Sequence, residues 1–231
     1  MKSNLFFFIF LLSITTMLGQ TLAGTVEYEI ADVNVVFKEG NSQNDNIKNI
    51  IASAKKQVFT LKFNDLFSSF TLSESLHKES ENESVARFAK MLYTTDQSFF
   101  YSKKDQVLYR KTADNYVIKQ DSLRYMWEIT SETKKISDHN CYKAIFKKKI
   151  INRLGIKKEI IITAWFAPDI PFNFGPIGYN GLPGLILELQ ERYTTYLAKK
   201  ITLAETASKI QLPKGPYLTE DQYENKILKN N

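Results

Sequence analysis

The chain has 231 residues, 43% hydrophobic and 24% charged, with 9 Gly and 6 Pro, a composition that excludes disordered and collagen-like chains and calls for a buried core. One Cys and two His exclude an intramolecular disulfide framework and a closed Cys/His zinc site, so no cofactor is expected. A formal net charge of +6 is modest, and no nucleic-acid partner is expected from it.

At the N-terminus Lys2 precedes the apolar run Leu5 to Leu12, and no acidic residue occurs before Glu27. This is the pattern of a secretory signal peptide, assigned to residues 1–23. A retained transmembrane helix needs about 20 apolar residues, and Ser13, Thr15 and Thr16 interrupt this run too early. Cleavage after Ala23 has small residues at −3 and −1; cleavage after Gly19 leaves Gln20 first. With no Cys near either position a lipid-modified N-terminus is not expected. The mature protein is expected to be periplasmic or secreted, with at most peripheral membrane contact. Removal of residues 1–23 leaves 231 − 23 = 208 residues, and 24–231 fits one β-rich domain.

Val26, Tyr28 and Ile30 alternate with Glu27 and Glu29, and Val33, Val35 and Phe37 continue on the opposite parity. The switch predicts a strand with a bulge near Ala31 and Asp32. Ile47, Ile50, Ile51 and Ala54 repeat at helical spacing, predicting an amphipathic helix over 46–57. Phe59, Leu61 and Phe63, then Phe70 and Leu72, predict a hairpin around Asn64 and Asp65. A second helix is predicted from Glu83 to Leu92. Short runs follow: Phe99 to Tyr101, Val107 to Tyr109, Tyr116 to Ile118, and Leu123, Tyr125, Trp127 and Ile129 as one alternating strand. Cys141 to Phe146 and Ile160 to Phe166 predict a long hairpin with its tip near Arg153. Leu185, Leu187 and Leu189, then Tyr193, Thr195 and Leu197, predict another. Thr219 and Gln222 form a capping box opening a C-terminal helix. The fold class is α+β and β-rich: a strongly bent antiparallel sheet or half-barrel covered by the helix at 46–57.

Four of the six prolines and four of the nine glycines fall between 168 and 184, so backbone shape is concentrated there. Leu182-Pro183-Gly184-Leu185 reads as a type II turn with Gly184 at positive φ. The string Ala164-Trp165-Phe166, Pro168, Ile170-Pro171, Gly175-Pro176, Tyr179 and Gly181-Leu182-Pro183-Gly184-Leu185-Ile186, with Cys141, Lys143 and Ala144 before it, resembles the signature of the GLPGLI or Porph_ging family. The resemblance covers about residues 127–200 and implies an exported Bacteroidota protein without an assigned activity, frequently associated with genes for outer-membrane receptors. By layout alone the helix and bent sheet also resemble the periplasmic lipoprotein-carrier half-barrel, which carries no function with it.

Asp138, His139 and Cys141 are the one local cluster of potential metal ligands; its two softer members, His139 and Cys141, beside a strand start are insufficient, and Cys141 reads as a small buried thiol. His77 reads as solvated. Serine nucleophile motifs are lacking. Glu188 and Glu191 are the carboxylates a general acid and base would use, although hairpin-end carboxylates are usually solvated. Lys147, Lys148, Lys149 and Arg153 lie in a dense basic stretch that either meets an anionic surface or blunts an exposed edge, the latter being the commoner use. Trp165, Phe166, Phe172, Phe174 and Tyr179 are expected to form a lid over the concave face, or else an aromatic recognition surface.

The function these readings favour is a non-enzymatic binding or accessory protein of the cell envelope engaging an apolar ligand, lipid, peptide or envelope protein. The alternatives are an envelope hydrolase acting on glycans or peptides through carboxylates, and a structural partner of an outer-membrane receptor.

Overall fold

A computed structural model describes residues 23–34, 45–73, 82–121, 125–151, 157–204 and 209–229. The expected signal segment before Ala23, Val35, Phe37, His77, Leu123 and Arg153 lie outside the described residues.

The described chain is β-rich, with twelve strands in one open sheet and three α-helices. The strands are β1 (Ala23–Val33), β2 (Val58–Phe63), β3 (Phe67–Leu72), β4 (Ser98–Ser102), β5 (Val107–Lys111), β6 (Val117–Asp121), β7 (Glu128–Ile136), β8 (His139–Ile151), β9 (Lys157–Ala167), β10 (Leu185–Glu191), β11 (Thr194–Ala204) and β12 (Tyr217–Leu218). The helices are α1 (Asp45–Lys55), α2 (Glu83–Leu92) and α3 (Glu220–Lys229). The order across the sheet is β12-β6-β5-β4-β3-β2-β1-β11-β10-β9-β8-β7. Neighbours are antiparallel except β12 beside β6. The N-terminal strand β1 thus sits at the centre, between two meanders, and antiparallel hairpins need only short turns to build each side.

Local chemistry sets the turns. The Asn64 side chain accepts from the Leu66 and Phe67 amides at 3.0 and 2.8 Å, which closes β2 onto β3. Asn82 caps α2 by accepting from Ser84 N at 3.0 Å. The Thr219 and Gln222 side chains satisfy each other's backbone amides at the start of α3, and Arg110 and Gln120 both bond Glu220 in its first turn.

The buried face of β1 to β4 carries Val26, Tyr28, Phe59, Leu61, Phe63, Phe70 and Tyr101, packed as one cluster with Tyr196 of β11. Ala54 of α1, Ala89 of α2 and Tyr93 cover it. A register shift falls between Ile30 and Asp32, where the alternation of strand one changes parity. A second cluster unites Ala144, Ile162, Phe166, Tyr179, Leu182 and Leu189.

Three expectations are corrected. Tyr125 and Trp127 do not belong to a strand, which begins only at Glu128. Their rings instead pack at a tilt against Tyr179, with centroids at 4.8 and 6.0 Å, and Trp127 Nε1 donates to the Asn180 carbonyl at 2.9 Å. In β11 the buried residues are Thr194, Tyr196 and Ala198, with Leu197 on the opposite face and Tyr193 exposed. Gly184 does not have positive φ; Gly178 and Gly181 do. Gly184 is required by contact, since a Cβ there would lie 2.3 Å from the Ala167 carbonyl oxygen.

That contrast is testable. Gly184→Ala forces backbone against backbone and should lower stability by roughly 1 to 3 kcal/mol through overpacking. Gly181→Ala meets nothing within 4 Å and should cost only the left-handed strain, about 1 kcal/mol. Thermal denaturation should rank Gly184→Ala as the less stable; the reverse order would show that φ, not contact, is the constraint.

Candidate functional site

The segment between β9 and β10 is a strap held down by its own backbone. Leu185 N donates to the Ile170 carbonyl and Ile186 N to the Phe174 carbonyl, both at 3.0 Å, and Gly181 N to the Asn173 carbonyl at 3.1 Å. From the sheet, Tyr28 Oη donates to the Ile186 carbonyl at 2.6 Å. Desolvation raises the Tyr28 phenol pKa far above its ordinary value, so it remains a donor.

The strap's aromatic residues divide. Phe172 and Phe174 join the first cluster, their rings 4.6 and 6.2 Å from Phe63, and Phe174 also meets Tyr101 edge-on at 6.1 Å. Phe166 and Tyr179 join the second cluster. Trp165 is next to Phe166 on a strand and points to the opposite face, where Lys134 Nζ sits 4.4 Å from its ring. Of the signature residues, Leu182, Leu185 and Ile186 are buried and Gly181 and Pro183 exposed. Phe166, Phe172, Phe174 and Tyr179 are thus taken up by packing, while Trp165 is partly buried.

The basic stretch also divides by parity. Lys147 and Lys149 are exposed on one face of β8, past Ile145, the last residue of β8 that pairs with β7. Lys148 points inward: its Nζ is 3.0 Å from Glu191 Oε1 and 5.8 Å from the Tyr179 ring. Tyr179 Oη donates to the same Glu191 oxygen at 2.9 Å. Burial first, then the Glu191 charge, raises the Tyr179 pKa strongly, so the phenol holds its proton. Glu188 is held elsewhere, 2.6 Å from Lys134 Nζ. The two carboxylates therefore do not converge on one reacting centre.

Among the described residues no group of three His, Cys, Asp or Glu is placed to hold a metal. His139 Nδ1 lies 2.7 Å from Asp169 Oδ2, whereas Cys141 is buried, its Sγ 3.7 Å from the His139 carbonyl. Burial pushes the Cys141 thiol up to about 11.

A cavity of about 260 Å³ opens at the β10–β11 turn. It is lined by Met91 to Thr95 after and at the end of α2, by Lys148, by Ile177 of the strap, and by Glu191 to Thr194 and Tyr196. Tyr93, Thr94, Thr194, Arg192 and Tyr193 were not singled out from the sequence. They come from two distant segments without a shared spacing, and only Glu191 and Lys148 carried a prior signal.

Residues 148–188 match the model of the Porph_ging family, described as a protein of unknown function, a narrower span than the resemblance read from the sequence. A solved structure of PNGF-II superposes with a TM-score of 0.56 over 90% of this chain at 13% identity, a likeness of fold alone. The chain spans about a third of that protein's length, 33%. No curated protein matches the sequence.

The buried thiol generates a prediction. Below pH 9 both folded and unfolded chains keep the Cys141 proton; between about 9 and 11 the unfolded chain releases it while the folded chain does not. Stability should thus fall as pH rises through that window, and fall less steeply in Cys141→Ser, read by chemical denaturation. In native protein at neutral pH iodoacetamide should leave Cys141 unlabelled; rapid labelling, or an identical pH slope in the variant, would contradict its burial.

Proposed function

We propose that this chain, which carries the Porph_ging match over its strap, is an exported, non-enzymatic binding or accessory protein of the cell envelope, with its ligand held in the cavity at the β10–β11 turn. One observation carries the reading: the core is filled by the protein's own apolar side chains, whereas a cavity among the described residues is bordered by Lys148, Glu191, Arg192 and hydroxyl-bearing residues. A polar ligand suits such a lining better than the apolar one expected from sequence. An accessory role beside an outer-membrane receptor belongs to the same proposal, with the exposed Lys147 and Lys149 as edge protection or peripheral contact.

The sheet is part of the proposal as a curled half-barrel of the kind found in lipoprotein carriers. A Cβ at Gly178 would lie 2.7 Å from Leu108 of β5, while the adjacent Tyr179 ring is 5.8 Å from Lys148 Nζ of β8. Eight strand steps separate β5 from β8, roughly 38 Å in a flat sheet at about 4.8 Å per step. A dipeptide with side chains of ordinary length does not bridge that, so curvature supports the trough.

Export is proposed through cleavage after Gly19. Ala23 is 1% exposed and pairs with Ala204, and a Cβ on Gly24 would lie 2.4 Å from the Phe63 ring. Cleavage after Ala23 would delete a paired residue and place an ammonium group in this packed position, a costly burial. Cleavage after Gly19 leaves the strand whole. No described helix is long and apolar enough to cross a membrane.

Peptide mass spectrometry of the secreted or periplasmic protein should find Gln20 as the first residue; an N-terminal Gly24 peptide would contradict this placement, and an intact Met1 would contradict export. Native mass spectrometry of protein purified without denaturation should find a small polar molecule bound, released by Glu191→Ala. A fully ligand-free protein, unresponsive in melting temperature to any small-molecule extract of its envelope, would contradict the binding reading.

A further inference from the structure

Strand parity gives β4 to β6 two apolar faces. Phe99, Tyr101 and Leu108 join the main core, while Phe100, Val107, Tyr109 and Val117 point to the opposite face and cluster there with Leu212. Residues 209–229 cover that second face. Leu212 packs on it, and the Tyr217 ring lies 5.4 Å from that of Tyr109. Strand β12 closes the outer edge of β6 with a two-residue parallel ladder, Tyr217 beside Val117 and Leu218 beside Ile118. Helix α3 follows, with the Tyr223 ring 5.9 Å from Tyr116 and Lys226 Nζ 4.4 Å from the same Tyr116 ring.

What lies beneath this cover is buried, and the cover itself is not. Val107, Tyr109 and Val117 are 6, 8 and 5% exposed, whereas no described side chain from 209 to 229 is fully buried. The hold is polar and concentrated on one group. Glu220, in the first turn of α3, accepts from Arg110 Nη2 on both carboxylate oxygens and from Gln120 Nε2 at 2.5 Å. The Arg110 side chain is 16% exposed; its Nη1 donates to the neutral Gln97 at 3.1 Å, and its one ion-pair partner among the described residues is Glu220. The counter-charge of a largely buried guanidinium is thus supplied by an element that buries little apolar surface of its own. Elements with few buried apolar contacts open locally, below the free energy of global unfolding.

We infer that residues 209–229 form a latch, held shut by the Glu220 carboxylate, that opens as a unit while the rest of the sheet stays folded, and that the surface beneath it takes this segment as a displaceable occupant. The inference is independent of the cavity at the β10–β11 turn. Shut, the latch pairs the edge of β6 and hides the patch of Phe100, Val107, Tyr109 and Val117, which keeps an edge strand from templating contacts with other chains. Open, it offers a strand edge beside an apolar, aromatic patch, the two features that strand addition uses. The occupant that fits is the segment itself: Leu212 for the patch, Tyr217 and Leu218 for the edge, and Glu220 for Arg110.

Hydrogen exchange of the full mature chain tests the opening. The Tyr223 amide, which donates to the Thr219 carbonyl at 3.0 Å inside α3, should be protected yet exchange well before the amides of β1. Glu220→Ala should speed it about ten-fold and leave β1 unchanged. Arg110→Gln, a change on β5 and outside the helix, should speed it by a similar factor, and the double variant should add little more. Tyr223 exchanging in step with β1, or at the rate of an unprotected amide, would overturn the latch, as would additive effects of the two variants. Displacement is tested with a synthetic peptide of residues 209–229, read by NMR shifts of the Val117 and Ile118 amides. This peptide should bind the full-length Glu220→Ala protein, whose own latch is loosened, more tightly than it binds the wild type. The same peptide carrying Glu220→Ala should bind that variant about ten-fold more weakly. Equal binding of the two peptides, or no shift with either, would overturn the claim that the segment is a displaceable occupant.

Discussion

The fold depends on one constraint: the strap between β9 and β10 satisfies its backbone against itself and against the sheet. The bonds from Leu185 to Ile170 and from Ile186 to Phe174 pair backbone groups of an irregular segment that would otherwise be buried at a cost. Tyr28 adds the link to the central strand through the Ile186 carbonyl. Once the strap is fixed in this way, Phe172 and Phe174 are delivered to one cluster and Tyr179 and Leu182 to the other. The glycines serve this close approach: Gly175 lies against Ile186 and Gly184 against the Ala167 carbonyl.

This closure also shapes the surface beside it. An antiparallel sheet with one apolar face needs a cover, and here α1, α2 and the strap provide it from opposite ends of the chain. At the β10–β11 turn the Lys148–Glu191–Tyr179 arrangement places polar groups beside the cavity. Ile177 and Arg192, both at positive φ, border that cavity. The strap therefore both completes the core and shapes the cavity beside it.

Much of the scaffold was legible from periodicity. The parity change in β1, the Asn64 hairpin, the span of α2 and the Thr219–Gln222 cap each rest on a local interaction that a few neighbouring residues specify. Where local pattern misled, a longer-range contact was responsible. The alternation through Tyr125 and Trp127 serves tilted ring contacts with Tyr179 rather than strand pairing, and the inward parity of β11 depends on how it meets β1 and β10. The basic run was read as a cluster, although strand parity separates Lys148 from Lys147 and Lys149. The cavity was least legible, because its walls come from α2, β8, the strap and a turn with neither Gly nor Asn to announce it.

The central claim is that the strap is a docked, hydrogen-bonded part of the core. Hydrogen exchange of the Gly181, Leu185 and Ile186 amides measures this directly. Docking predicts protection of all three comparable to that of the central strand β1, lost together on global unfolding. Exchange of Gly181 and Ile186 at the rate of an exposed loop, with β1 still protected, would contradict it.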